Sequence, residues 1–245
     1  MSTRKCIPIV AVLTLMLGTA VVSEAQAMND GQSLDAKQQS IIPIAAFTAS
    51  GDMTKLNVAL SSGLEAGLTV NEIKEILVQM YAYAGFPRSL NGMFAFMAIL
   101  EERKTRGIVD EVGKDASPIP VGLNKDEYGA RVRATLSGLD EIPPPAAWQK
   151  FSPTIDAFLK EHLFADIFER DVLDFQSREL ATIAALANMP GTEGQLRYHL
   201  GAAMNTGLSE AQMKDFIVVL QSKVGVQEAE AALKLLSEVL STRGQ

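Results

Sequence analysis

Cysteine is almost absent from this chain of 245 residues, in which Cys6 is the single example. One cysteine provides neither a disulfide framework nor a pair of thiols for redox chemistry. Histidine is nearly as scarce, because the chain contains only His162 and His199. Two histidines without a short ligand spacing make a poor metal signature, so we predict no metal site.

Positive charge is also in short supply. The chain has 22 lysines and arginines against 29 aspartates and glutamates, which gives a formal net charge of −7 at pH 7. An acidic chain without a basic stripe does not bind a phosphate backbone, so nucleic acid is excluded as a partner. Without disulfides, stability must come from ordinary burial of apolar side chains, and the length is ample for one large core or two small ones.

Residues 1–27 have the pattern of a secretory signal peptide. Two basic residues precede an apolar run from Ile7 to Val22, and Ala25-Gln26-Ala27 supplies a small-residue cleavage pattern. The run is short for a membrane span and ends at a processing-like site, which favours a cleaved leader over an uncleaved anchor. We therefore predict an exported protein, periplasmic or secreted, that starts near Met28 and has no stable membrane insertion after cleavage.

The apolar residues recur at helical spacing, and the alternation typical of strands is scarce. Steps of three and four residues follow Thr69 and Ser209, and the apolar positions concerned are Ile73, Ile76, Leu77 and Met80 after Thr69, and Met213, Phe216, Ile217 and Leu220 after Ser209. Such steps place apolar side chains on one face of a helix. The sequence therefore predicts an all-α protein.

These two helices belong to an internal duplication. Aligning Gly67-Leu68-Thr69 with Gly207-Leu208-Ser209 gives an offset of 140 residues, and with one residue of slack near Pro190 the alignment also matches Asp35 with Asp174. Two copies imply two similar helical units.

The predicted organisation has four parts. After the signal peptide, residues 28–112 form the first repeat and residues 151–245 form the second. Residues 113–150 are predicted to be a linker region, because Glu141-Ile142-Pro143-Pro144-Pro145 breaks any helix.

The second repeat contains the most chemically suggestive residues. Its sequence predicts one helix that begins after Asp174 and a second helix after a turn at Met189-Pro190-Gly191. Such a hairpin can bring Glu179 and His199 together, and imidazole suits proton transfer near neutral pH. The alternatives left open are a glutamate that only complements a helix dipole and a histidine satisfied in the interior.

An Arg-Glu pair, a histidine about twenty residues later and a Gly-Leu-Thr/Ser turn eight residues further on resemble the carboxymuconolactone decarboxylase family. Here these are Arg178-Glu179, His199 and Gly207-Leu208-Ser209, and a second hallmark runs from Tyr81 to Arg88. The resemblance implies a duplicated alkyl hydroperoxidase D-like helical repeat, two pseudo-equivalent halves and a carboxy-lyase that needs no cofactor.

The two copies differ where the resemblance places the chemistry. The first copy has Gln39, Ser40 and Ala59 at the positions of Arg178, Glu179 and His199, whereas its Tyr81, Tyr83 and Arg88 align with Gln221, Lys223 and Glu228 of the second copy. The resemblance therefore implies a composite site. The second half would supply the catalytic residues Arg178, Glu179 and His199, and the first half would supply the substrate-binding residues Tyr81, Tyr83 and Arg88.

Aromatic residues near this site are predicted to have different roles. Tyr81 and Tyr83 cannot share one helix face at their spacing, so at most one of them should face a given pocket. Trp148 and Tyr198 are predicted to pack rather than to contact substrate.

Thiol chemistry is disfavoured. Alkyl hydroperoxidase D relatives have a Cys-x-x-Cys motif seven and four residues before the family histidine, and this chain has Thr192 and Gln195 there. Neither side chain can reduce a peroxide by thiol exchange, so a peroxiredoxin-type activity is not expected.

What the resemblance leaves is acid–base decarboxylation of a small carboxylated cyclic, lactone-like substrate. Arg178 or Arg88 would anchor a carboxylate, His199 would act as the general acid, and Glu179 would orient it. The alternative is a noncatalytic ligand-binding or interaction oligomer of the same fold. The resemblance also implies a homo-oligomer, with a trimer favoured.

Overall fold

The computed structural model describes residues 33–243, and this part of the chain consists of eleven α-helices, one π-helix and no strands. The predicted all-α class is therefore confirmed. No helix within residues 33–243 is both long enough and apolar enough to cross a membrane. The predicted signal peptide, residues 1–27, lies outside the described residues, so export stays a prediction, as does assembly into a trimer.

Eight of the helices form two sets of four. The first set is α1 Ala36–Ser50, α2 Met53–Glu65, α3 Val70–Ala84 and α4 Phe86–Thr105. The second set is α8 Phe175–Ala187, α9 Glu193–Asn205, α10 Glu210–Lys223 and α11 Val226–Arg243. Between them lie α5 Lys125–Leu136, α6 Ala147–Phe151, α7 Pro153–Ala157 and the π-helix π1 Phe158–Ile167.

The same capping residues begin corresponding helices in the two sets. Asp35 and Asp174 are the N-caps of α1 and α8, and each side chain accepts a hydrogen bond from a backbone N–H three residues on. Thr69 and Ser209 begin α3 and α10 with reciprocal capping boxes. Side-chain caps satisfy N–H groups that have no partner inside the helix, so these polar positions place the helix starts identically in both repeats.

Helices α1 and α8 pack against each other at the centre of the molecule. From Ser40 to Ala49, α1 is buried at every residue, and α8 is buried from Arg178 to Leu186. A helix that is apolar on all sides belongs in a core, and each buried isoleucine or leucine contributes about 2 kcal/mol relative to an exposed one. Buried residues from both sets form one continuous cluster, so the two repeats share a core.

The region predicted as a linker contains a helix that packs closely. Helix α5 lies against π1, and Val132, Leu136, Leu163 and Phe164 are buried in a second, smaller cluster. Gly129 permits this approach, because a Cβ at that position would lie 1.9 Å from the backbone oxygen of Lys160. The three consecutive prolines lie between α5 and α6, where the chain is not helical. Helix α5 also packs against α9 and brings to it side chains from outside the two four-helix sets.

Candidate active site

The α8–α9 hairpin joins the acidic and imidazole groups. His199 Nδ1 lies 2.8 Å from Glu179 Oε2. The carboxylate has no exposed surface, and His199 is 6% exposed. Because a carboxylate accepts hydrogen bonds, Nδ1 carries the hydrogen of this contact and Nε2 is the nitrogen left for a ligand.

The turn between the two helices is fixed by local contacts. Gly191 has a φ of +86°, a left-handed conformation that favours glycine. The Thr192 hydroxyl donates to the backbone oxygens of Leu186 and Met189. Thr192 thus ties the start of α9 to the end of α8 from one of the positions at which alkyl hydroperoxidase D relatives have a cysteine.

His199 borders a cavity of about 540 Å³. This volume is within the ordinary range of small-molecule sites. One wall is a face of α9, and the opposite wall comes from α5, α6, α7 and π1. The lining residues are Arg133, Ser137, Trp148, Ile155, Leu159, Phe164, Gly194, Gln195, Tyr198 and His199. The cavity therefore combines an imidazole, a guanidinium and several apolar or aromatic surfaces.

Two tyrosine rings lie edge-on to the imidazole. The Tyr198 and His199 ring centroids are 5.0 Å apart, and those of Tyr83 and His199 are 5.9 Å apart. Burial raises the pKa of both phenols, and the Glu179 carboxylate acts in the same direction. Both tyrosines are therefore neutral near pH 7. The Tyr198 hydroxyl is also hydrogen-bonded to Ser137 Oγ, at 2.9 Å, which links α9 to the end of α5.

Arg133 provides the positive charge of the cavity wall. Its guanidinium lies 5.3 Å from the Trp148 ring centroid and 5.9 Å from that of Phe164. Its Nη1 also lies 2.9 Å from Asp156 Oδ1. Burial disfavours the charged form of Asp156, but hydrogen bonds from Gln149 and Lys160 outweigh it and lower the pKa of that carboxyl. The ion pair and the two rings hold the Arg133 guanidinium in place.

One oxygen of the buried carboxylate is unused. Glu179 Oε1 is inaccessible to solvent and has no hydrogen-bond partner in the part of the chain that the structure describes. A buried polar atom without a partner is costly and is often retained for function. Within residues 33–243, no group of three or more histidine, aspartate or glutamate side chains is arranged to hold a metal ion.

The sequence profile of the carboxymuconolactone decarboxylase family matches residues 17–98 and 153–238. This chain belongs to that family. It is also similar to the 4-carboxymuconolactone decarboxylase of Acinetobacter baylyi (strain ATCC 33305 / BD413 / ADP1), with 29% identity over 94 residues. This alignment covers 38% of this chain and 69% of the relative. The two matched ranges cover most of the two four-helix sets, which confirms the duplicated family repeat. Together they support a decarboxylase-like function at the level of the family.

In this member of the carboxymuconolactone decarboxylase family, Arg178 does not reach the cavity. It is fully buried, and its guanidinium donates to Gln79 Oε1 and Glu75 Oε1, each at 2.9 Å, and to the backbone oxygen of Arg170. Burial lowers its pKa, and Glu75 counteracts this. Arg178 therefore ties α8 to α3 across the two repeats, and this enclosure removes it as an anchor for substrate.

Two other expected substrate contacts also lie away from the cavity lining. Tyr81 stacks on Phe86, with ring centroids 4.2 Å apart, and its hydroxyl is hydrogen-bonded to His162 Nε2. Arg88 is exposed, and its guanidinium lies near Gly51 at the end of α1. Of the three residues expected to bind substrate, Tyr83 is the one that contacts the Glu179–His199 pair.

The structure adds residues that the sequence did not single out for this family site. Trp148 and Tyr198, predicted to be packing residues, line the cavity with 42% and 41% of their surface exposed. Arg133 and Trp148 lie between the two ranges that match the family, so neither the duplication nor the family hallmarks point to them. Tyr198 and Gln195 could have been found from their positions on the histidine helix, one and four residues before His199.

Proposed function

We propose that this protein is a cofactor-independent decarboxylase that acts by acid–base chemistry on a small carboxylated cyclic, lactone-like substrate. The observation that supports the proposal most strongly is the contact of 2.8 Å between His199 Nδ1 and a fully buried Glu179 at the wall of a cavity. The relative from Acinetobacter baylyi bears the name of a decarboxylase of this kind.

The reaction needs one proton for each molecule of carbon dioxide released. The bond between the carboxylate carbon and its neighbour breaks, carbon dioxide leaves, and the electron pair moves into the conjugated lactone carbonyl as an enolate. Collapse of the enolate then requires a proton at a carbon of the conjugated system, either the one that lost the carboxylate or, with a shift of the double bond, the one next to the carbonyl. His199 donates this proton from Nε2 and is reprotonated by solvent, while Glu179 accepts a hydrogen bond from Nδ1 and fixes the ring.

Arg133 takes the part first expected of Arg178 or Arg88. It is the guanidinium that lines the cavity. During the reaction, negative charge moves from the substrate carboxylate to the enolate oxygen. A fixed cation directed at that oxygen stabilises the transition state more than the ground state, which is the condition for faster turnover. The neighbouring Trp148 and Phe164 surfaces would hold the apolar part of the ring.

The direct test measures carbon dioxide released by the full purified chain from a panel of carboxylated lactones that includes 4-carboxymuconolactone. In D₂O, the product should carry one deuterium on a carbon of the conjugated system, and its position identifies the carbon that receives the proton. His199→Gln should lower kcat by a factor on the order of a hundred or more, because general acid catalysis is lost.

The chain offers a matched control, because His162 is the other histidine and does not line the cavity. His162→Gln should keep most of the activity, and circular dichroism should show that both variants are folded. Equal activity of the two variants would remove His199 from the mechanism. Binding of panel compounds without any release of carbon dioxide would instead support the noncatalytic oligomer.

A further inference from the structure

The first repeat retains a cavity at the place that corresponds to the active-site cavity. Its volume is about 340 Å³, and four of the five α2 residues in its lining are Thr54, Lys55, Val58 and Ala59. An offset of 140 residues relates these four positions to Gly194, Gln195, Tyr198 and His199, all of which line the cavity at α9. The same face of the equivalent helix thus borders a cavity in both repeats.

The groups for proton transfer are missing from this first-repeat cavity. Ser40 stands at the position of Glu179 and Ala59 at that of His199, and both line the space. The Ser40 hydroxyl is occupied, because it donates to the backbone oxygen of Ala36. A serine and an alanine cannot act as general acid and base near pH 7. The cavity therefore lacks groups for proton transfer but still has a volume of about 340 Å³.

Positive charge has been added to the lining. Lys223, at the end of α10, occupies the position of Tyr83, and Lys55 occupies the position of Gln195. Lys223 has no ion pair within residues 33–243. Lys55 has an exposed pair with Asp52, at 3.4 Å, and lies 5.4 Å from the Phe47 ring centroid. Exposed pairs of this kind are weak, so both ammonium groups are available to a ligand.

The remaining surface is mostly apolar and carries no opposing charge. Pro43, Phe47 and Val58 supply apolar area, Thr54 and Ser62 supply hydroxyls, and no aspartate or glutamate is part of the lining. A ligand that fits must combine a small apolar body with a negative group. A carboxylate on a ring meets both requirements, since its oxygens accept from lysine ammoniums and hydroxyls.

We infer that the first-repeat cavity is a second, noncatalytic binding site for a small apolar carboxylate. The inference is independent of the reaction at His199, because it depends on the lining of a different cavity. Its volume is smaller than that of the active-site cavity, so it selects compact acids. Binding there involves no proton transfer, and the ligand leaves unchanged.

The test is isothermal titration calorimetry of the full chain with benzoate, and with benzamide as the neutral compound of similar shape. Benzoate should bind wild type, and Lys55→Gln/Lys223→Gln should weaken that binding at least on the order of tenfold, since each ammonium contributes a charge-assisted contact. Benzamide should bind weakly to both proteins. Val58→Trp, at a position that is 66% exposed, should fill the cavity entrance without disturbing the core and should also weaken benzoate binding.

Matched controls separate this site from the other one. Lys214→Gln removes a lysine from the same helix as Lys223, but its ammonium is paired with Glu210 and is not in the lining. It should leave benzoate binding unchanged, and the benzoate binding that depends on the two lysines should persist in Arg133→Gln, which alters the active-site cavity. Carbon dioxide release should persist in the double lysine variant. Equal benzoate affinity in the double lysine variant and in Lys214→Gln would overturn the inference. A double lysine variant that changes its oligomeric mass but keeps its benzoate affinity would overturn it as well.

Discussion

The two repeats have the same helices, but only the central helix of the second repeat buries charged residues. Helix α8 places Arg178 and Glu179 in the core with no exposed surface, whereas α1 has Gln39 and Ser40 at those positions. Each charged residue of α8 has its own partner, since Arg178 is bound by Glu75 and Glu179 by His199. Buried charges persist only with such partners.

The equivalent positions of the other repeat lack both members of the glutamate–histidine pair, whereas those of the arginine–glutamate pair keep an acidic residue and lack the arginine. By the same offset, Asp215 and Val219 of α10 correspond to Glu75 and Gln79 of α3. Gln39 donates to the backbone oxygen of Leu34, and Asp215 accepts from the backbone N–H of the same residue. A polar network is stable when its members have partners. Gln39 and Asp215 meet this condition with backbone groups of Leu34 in place of an arginine–carboxylate pair, and capping and apolar packing preserve the fold.

The repeats also differ in what covers them. The segment of α5, α6 and π1 contributes Arg133, Trp148 and Phe164 to the wall opposite α9. The corresponding face of α2 leaves Val58 66% exposed. Helices α5, α6 and π1 therefore supply one wall of the active-site cavity, whereas the equivalent residue of α2 stays exposed.

The largest effect should follow from breaking the charge network of the second repeat. Arg178→Met leaves Glu75 buried with only Arg170 as an ionic partner, so the free energy of unfolding should fall by about 3 kcal/mol. Gln39→Met is the equivalent change in the first repeat and should cost less than about 1 kcal/mol. Urea unfolding of both variants measures the difference. Equal losses would show that the two repeats do not differ in this respect.

A smaller effect should follow from removing the cation that the intervening segment adds. Arg133→Gln should lower kcat/KM for decarboxylation by a factor on the order of ten to a hundred, because an oriented charge near the enolate oxygen is lost. Arg131→Gln on the same helix is the control, since Arg131 is exposed and pairs with Glu127. Steady-state kinetics would contradict the role of Arg133 if the two variants had the same kcat/KM.

Local patterns account for what the sequence predicts correctly. Caps at Asp35 and Asp174, apolar spacing and the repeat offset establish the helices and the duplication. The contact between Glu179 and His199 can also be predicted from the sequence, because a turn of a few residues at Pro190 indicates a hairpin. Each of these inferences spans at most about twenty residues or compares one copy with the other.

The parts that were missed depend on distant contacts. Arg178 pairs with Glu75, which lies 103 residues earlier in the chain, and no local sequence pattern relates the two residues. Arg133 and Trp148 lie in a segment with no counterpart in the repeat, so the comparison of copies gives no information about them. The position of Arg133 depends on the close packing of α5 on π1 at Gly129, which is a property of tertiary structure.

The smallest expected effect concerns how the intervening segment is held over α9. Asp156 joins Arg133 to Gln149 and Lys160. Because the pKa of Asp156 is lower in the folded protein than its ordinary value of 3.8, its contribution is present above pH 3.8 and is lost as the pH falls through the lower folded value. Asp156→Asn should therefore lower the free energy of unfolding by roughly 1 kcal/mol at pH 7.

The stability difference between Asp156→Asn and wild type should shrink as the pH falls below 3.8. Trp148 is the one tryptophan of the chain, and its contact with Arg133 makes its fluorescence a local reporter. Its emission should shift to the red below pH 3.8 in wild type and at every pH in Asp156→Asn. Asp126→Asn removes the more exposed partner of Lys160 and should leave the emission at pH 7 unchanged. Identical emission in all three proteins would mean that Asp156 does not hold the segment against the second repeat.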